Sequence, residues 1–290
     1  MKSPSGVGNG SPSVLDQVTE QKGRIDRALS KVKQRVAIGS GRGGVGKSTI
    51  TRGLAAALAS RGYKVAIVDA DFSEPTQPGT MAPGGAAPVP SADGIALPRS
   101  RDGVGIFSVG SWLADPPKAD SAVESAGGWA DGRAGREFSA LSEIVASVAW
   151  GKLDVLLFDL SAGAERTRQF ADFLGESTSF VLVTIPSETS RRAVVRSSEA
   201  LSGRGNRLLG YVENMSGYYC VDCGGIKPLF PETKEGIVLD FPCLGRVPFD
   251  PAVAFACDRG VAFQDLPETA ATRALSAVAG RLLESLDSPR

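Results

Sequence analysis

The chain contains no histidine. That absence removes imidazole general bases, histidine metal ligands and every Ser-His-Asp mechanism. Cysteine is scarce as well, with four in 290 residues, too few for a disulfide framework. Charge excess is missing too: Lys+Arg and Asp+Glu both number 32, so no global field steers the chain to nucleic acid or to an anionic membrane. No apolar run approaches the roughly 20 residues of a bilayer span. The start, M-K-S-P-S-G-V-G-N-G-S-P-S, lacks the apolar centre of a signal peptide. These absences predict a cytoplasmic protein that engages neither nucleic acid nor membrane.

Glycine, by contrast, is plentiful, with 35 residues, and its densest cluster carries chemistry. Gly39 to Thr49 reads G-S-G-R-G-G-V-G-K-S-T, directly after the apolar strand candidate Arg35 to Ile38 and at the start of the helix candidate Lys47 to Ser60. From Gly41 the spacing is G-x-x-x-x-G-K-[ST], the phosphate-cradling P-loop. Its backbone N–H groups curl around phosphate oxygens, and the following helix N-terminus adds a favourable field. Gly41, Arg42, Gly43, Gly44, Val45, Gly46, Lys47, Ser48 and Thr49 form the candidate nucleotide cradle, with Lys47 on the β- and γ-phosphates and Ser48 on Mg²⁺. Lys47 is expected to face the surface, so its loss should abolish ATP binding and spare the fold. Gly39, Gly41 and Gly44 also spell the dinucleotide fingerprint G-x-G-x-x-G. A dinucleotide turn has no use for a lysine and a hydroxyl directly after the last glycine, so that frame is rejected.

The remaining chain alternates strand and helix candidates. Residues 1–12 are rich in Gly, Ser and Pro and are expected to be disordered, and 13–33 read as an amphipathic leader helix with Leu15, Val18, Ile25, Leu29 and Val32 on one face. Residues 34–290 are expected to form a single domain. Lys64 to Asp69 is an all-apolar buried strand closed by Asp69-Ala70-Asp71, which places two carboxylates at the sheet edge where ligands bind. Ser73 to Gly103 reads as an irregular Pro- and Gly-rich loop, and Gly110 to Gly135 as another polar segment. Strands Val104 to Val109, Leu153 to Asp159, Phe180 to Ile185 and Arg207 to Val212 follow, with helices at Glu137 to Val148, Ser190 to Leu201, Pro251 to Asp258 and Thr269 to Leu286. Leu153 to Asp159, L-D-V-L-L-F-D, has the Walker B pattern whose acid sits beside Mg²⁺. Such alternation implies an α/β fold of three layers, a mostly parallel central sheet flanked by helices on both faces.

Cys220 and Cys223 form a C-x-x-C just after a strand. One pair supplies two thiolates, whereas a closed zinc or iron–sulfur site takes four ligands. Two subunits could each donate a pair across a two-fold axis. Cys243 and Cys257 could instead complete an intrachain set, although both lie in settings typical of a buried small hydrophobe. A thioredoxin-type redox pair is a third reading.

Taken together, G-R-G-G-V-G-K-S-T, V-D-A-D, W-G-K-L-D-V-L-L-F-D, V-E-N-M-S with the following C-x-x-C-G, and L-G-R-V-P-F-D-P resemble the Mrp/Nbp35/ApbC iron–sulfur cluster carrier ATPases. These belong to the deviant-Walker-A group of P-loop NTPases that includes MinD and ParA. The resemblance implies binding of ATP with Mg²⁺, Asp71 orienting the attacking water, Asp159 as the Walker B acid and Asn214 contacting adenine. It also implies a [4Fe–4S] cluster bridged by Cys220 and Cys223 of both chains of a homodimer and delivered to apo iron–sulfur client proteins. Arg42 stands where the family usually carries a lysine that reaches the partner's nucleotide, and it keeps the charge. Where the family reads D-x-P-P-G-T-G-D, this chain reads Asp159-Leu160-Ser161-Ala162-Gly163-Ala164-Glu165-Arg166, so weak hydrolysis is expected. Competing readings are a MinD/ParA-like positioning or regulatory ATPase and a nucleotide-binding pseudo-ATPase.

Overall fold

The computed structural model describes residues 22–72, 88–92, 94–109, 133–220, 222–231 and 237–288. The expected tail at 1–12, the first part of the leader helix, most of the loop from Ser73 and the polar segment after Gly110 lie outside the described residues.

In chain order the elements are helix α1 (22–28), β1 (Val32–Ser40), α2 (Lys47–Ala59), β2 (Val65–Asp69), β3 (Val89–Ser91), β4 (Gly94–Ala96) and β5 (Gly105–Ser108). They continue with α3 (Arg133–Ser147), β6 (Leu153–Asp159), α4 (Ala164–Leu174), β7 (Thr178–Thr184), α5 (Glu188–Glu199), β8 (Leu208–Tyr219), β9 (Ile226–Lys227), β10 (Cys243–Phe249), α6 (Pro251–Arg259) and α7 (Ala270–Asp287). The main sheet runs β10-β8-β7-β1-β6-β2-β5. All these pairings are parallel.

A parallel sheet covered on both faces needs apolar residues at successive positions, because each neighbour points to a different buried layer. β2 and β7 are buried throughout. Along β1, Val36 and Ile38 join one core with Ile50, Leu54 and Leu58 of α2 and Leu275, Val278 and Leu282 of α7. Ala37, between them, joins the opposite core with Ile25, Leu141 and Ile144 of α3, and Phe170 of α4. The three layers expected from the alternation are present.

Several boundaries differ from the sequence expectation. The leader helix ends at residue 28, and Val32, assigned to its apolar face, opens β1. The supposed irregular loop contains an antiparallel β3–β4 hairpin. The strand expected to stop at Val212 runs on to Tyr219. α4 and β10 are additional elements: α4 is mostly polar with a narrow buried stripe, and β10 is interrupted by Gly245 and Pro248.

Candidate nucleotide site and cysteine hairpin

β1 lies in the middle of the sheet, between β6 and β7, and the glycine-rich turn leaves its C-terminal end. Gly46 takes the left-handed conformation at φ 81° and starts α2 without any side-chain cap or first-turn acid. The first backbone N–H groups of that helix are therefore left for an anion. Gly41 has no alternative residue either. A Cβ there would lie 2.2 Å from the Ala193 carbonyl carbon, so the turn runs directly against the backbone of α5.

Register collects the polar groups. Ile38 pairs with Asp159, Asp159 with Asp69 and Asp69 with Ser108, so three adjacent strands end in one polar row. Lys47, expected at the surface, is buried at 8% exposure, and its Nζ donates to Asp159 Oδ1 at 2.6 Å. The expected surface position is thereby overturned: the lysine neutralises a fully buried carboxylate. The Thr51 hydroxyl, one helical turn on, lies 3.2 Å from the same oxygen. Asp159 Oδ2 is buried without a hydrogen-bond partner. An orphaned carboxylate oxygen next to the Ser48 turn suits a hard, oxygen-seeking cation such as Mg²⁺.

Asp69 accepts from Ser108 Oγ at 2.8 Å and from the Asp71 backbone N–H at 3.2 Å. Burial pushes its carboxyl up to about 7, and the neighbouring Asp159 charge pushes the same way. Asp71, half-buried, receives the Ser161 hydroxyl at 2.9 Å on Oδ1. Arg42, Gly43 and Gly44 are exposed at the tip of the turn, Ser48 and Thr49 are half-buried, and Val45 is buried. Asn214 comes from β8 to donate from Nδ2 to the Val45 carbonyl at 2.9 Å. A Cβ on Gly46 would meet that nitrogen at 2.2 Å. Thr51, Ser108 and Ser161 were not given a role by any motif. Only the tertiary fold brings them in, whereas Asp69 stands at the sheet edge where its place at the end of an apolar strand put it.

β8 carries the second half of the site. Glu213 is buried and clamped by Arg191 at 2.7 Å and Arg246 at 3.2 Å. Met215 follows Asn214 at φ 52°, the one non-glycine residue with positive φ among those described, and a register irregularity against β10 lies there. Beyond this bend the strand pairs antiparallel with β9, Tyr218 with Lys227 and Tyr219 with Ile226. Cys220 and Cys223 occupy the tip of that hairpin. The turn is closed by Cys220 N–H to the Gly225 carbonyl and Gly224 N–H to the Cys220 carbonyl, both 2.9 Å. Cys220 is buried and Cys223 exposed. The backbone N–H of Cys223, then its thiol, the Asp222 N–H and Lys227, hold the Cys220 thiol below its ordinary range.

The other two cysteines are elsewhere. Cys243 pairs with Tyr211 in register, nine positions along β8 from Cys220, a strand length of ~30 Å. It is exposed on an edge strand, not buried as its apolar neighbours suggested. Cys257 lies against α2 near Thr49 and Arg52, and burial pushes its thiol up. Neither is placed at the hairpin that carries Cys220 and Cys223.

The fold and the turn define a P-loop NTPase of the ATPase type, with a cysteine pair carried on an extension of its own sheet. The family description ParA, NUBPL iron-transfer P-loop NTPase, matches residues 31–283, and the chain belongs to that family. It is similar to the iron-sulfur cluster carrier protein of Saccharolobus solfataricus, at 32% identity covering 96% of this chain and 93% of that protein. It resembles the carrier protein of the same description from Methanococcus maripaludis at 32% identity, over 83% of this chain and 82% of that one. Among solved structures, a nucleotide-binding protein from Archaeoglobus fulgidus in complex with ADP superposes with a TM-score of 0.67. It is 26% identical, and the match covers 86% of this chain and 98% of that one. The cell division ATPase MinD of Pyrococcus furiosus shares the fold, with a TM-score of 0.58 at 21% identity, over 87% of this chain and 98% of that one. No helix among the described residues is long and apolar enough to cross a membrane.

Proposed function

We propose that the protein is a cytoplasmic, ATP-dependent carrier that holds a [4Fe–4S] cluster as cargo between two copies of the chain and delivers it to apo iron–sulfur proteins. The observation that carries this reading is the hairpin. It presents one exposed and one N–H-supported cysteine, the arrangement that favours thiolates ready to bind iron. Two thiolates per chain require a second chain to complete four. The exposed Tyr218, Tyr219 and Ile226 around the tip provide an apolar surface for that contact.

On the nucleotide side, Lys47 and the start of α2 hold the phosphates, Asp71 orients the attacking water, and Arg42 reaches the partner's nucleotide from the exposed tip of the turn. Ser48 and Asp159 would hold Mg²⁺, which would supply charge neutralisation at the phosphates. Asn214 connects the halves. Its amide holds the P-loop carbonyl of Val45, six residues before Cys220 on the same strand. A side-chain amide carries two N–H donors and an acceptor, so the Val45 bond and a contact with adenine can coexist. The carrier descriptions of two relatives covering most of the chain favour this reading over a positioning ATPase.

Anaerobic reconstitution with iron and sulfide tests it. The expected outcome is about four irons per dimer, lost in Cys220→Ala and in Cys223→Ala and retained in Cys243→Ala and Cys257→Ala. About four irons per monomer, sensitive to Cys243 or Cys257, would refute the bridged site.

A further inference from the structure

Strands β2 and β6 end in register at Asp69 and Asp159, and each chain then continues two residues beyond the sheet edge to Asp71 and Ser161. The two loops are tied to each other and to β1 by backbone bonds. Ala70 N–H donates to the Asp159 carbonyl at 2.9 Å, Leu160 N–H to Ile38 at 3.1 Å and Gly163 N–H to Ser40 at 2.7 Å. Ser161 therefore sits between two fixed points of the strand that leads into the P-loop. It is 4% exposed, and its hydroxyl spans the gap to Asp71 Oδ1 at 2.9 Å. A buried hydroxyl aimed at a half-buried carboxylate from a backbone held at both sides restricts the rotation of that carboxylate about its own side chain.

We propose that Ser161 is a positioning residue for ATP hydrolysis, holding the Asp71 carboxylate in the orientation that lines up the attacking water. The proposal rests on the reading of Asp71 as the water-orienting group. It goes beyond that reading in assigning a function to a residue of the segment after Asp159, Leu160-Ser161-Ala162-Gly163. Losing this hydrogen bond widens the range of orientations the carboxylate samples, so removing the hydroxyl lowers the chemical step and leaves ground-state binding of nucleotide alone.

The test is single-turnover hydrolysis of ATP with Mg²⁺ by the full chain, alongside ATP affinity and the unfolding midpoint, for Asp71→Asn, Ser161→Ala, Ser161→Thr and the double variant Ser161→Ala with Asp71→Asn. Ser161→Ala is expected to lower the turnover rate about five- to tenfold, the loss of one orienting hydrogen bond, with ATP affinity unchanged. Ser161→Thr, which keeps the hydroxyl, should recover most of the rate. Asp71→Asn should lower the rate further, and adding Ser161→Ala to it should change nothing more. If Asp71→Asn leaves the rate unchanged, the reading of Asp71 fails and the proposal with it. If Asp71→Asn slows turnover but Ser161→Ala does not, or if the two losses multiply, the role of Asp71 stands and the positioning role of Ser161 is overturned. A rate loss in Ser161→Ala accompanied by an equal loss of ATP affinity overturns it also.

Discussion

Replacing Lys47 by methionine, which keeps the length of the side chain and removes its charge, should destabilise the nucleotide-free protein as well as prevent ATP binding. The Asp159 side chain is fully buried, and the lysine that neutralises it at 2.6 Å is itself 9% exposed at the side chain. Removing one partner of a buried ion pair costs about 3–5 kcal/mol. Urea unfolding at pH 7.5 without nucleotide or magnesium measures it. Lys47→Met combined with Asp159→Asn should recover most of the stability by removing the stranded charge. A Lys47→Met protein that unfolds at the parental midpoint would show that the pair is not a neutralising one.

Asp69 is raised to about 7, so the folded state holds its proton more tightly than the unfolded chain does. Stability of the magnesium-free protein is then greatest below pH ~4 as far as this group is concerned, and falls between pH ~4 and ~7 by about 4 kcal/mol. Comparison of Asp69→Asn with the parent across that window by urea unfolding should show the slope reduced. Gly46→Ala places a methyl group 2.2 Å from Asn214 Nδ2 at φ 81°, so it should lower stability by about 1–3 kcal/mol and weaken ATP binding, read by thermal denaturation and nucleotide titration. Arg42 is exposed, and Arg42→Ala should leave stability within about 0.5 kcal/mol and retain ATP binding. Its turnover should drop, with Arg42→Lys tolerated, whereas a parental rate in the alanine variant would exclude a role at the partner's nucleotide.

The P-loop and the parallel sheet were legible in the sequence because both are written in local chemistry. A turn that needs left-handed glycine at Gly46 and a close backbone approach at Gly41 cannot be spelled in many ways. Strands buried on both faces, such as Val65–Asp69, must read as unbroken apolar runs. The resemblance placed Asp71, Asp159, Asn214 and the cysteine pair on numbered positions for the same reason, through the short motifs around them. Elements whose local signal is faint were missed. α4 is polar except for Thr167, Phe170, Ala171 and Leu174, and β10 carries a glycine and a proline that read as turn residues, although its edge position tolerates them.

What only the tertiary structure decided is who meets whom across the sheet. Lys47 and Asp159 are 112 residues apart, Ser161 and Asp71 are 90 apart, and Asn214 and Val45 are 169 apart. No local pattern encodes those distances, because each depends on the strand order β7-β1-β6-β2 and on a register in which a slip of one residue would turn every side chain to the other face. By itself, the sequence determined the chemistry available: a phosphate cradle, two carboxylates at a sheet edge and two thiols without a histidine to help them. The crossovers and registers determined its arrangement, burying the lysine against Asp159, raising Asp69 beside it, and carrying Cys220 and Cys223 out on the same strand that holds the P-loop.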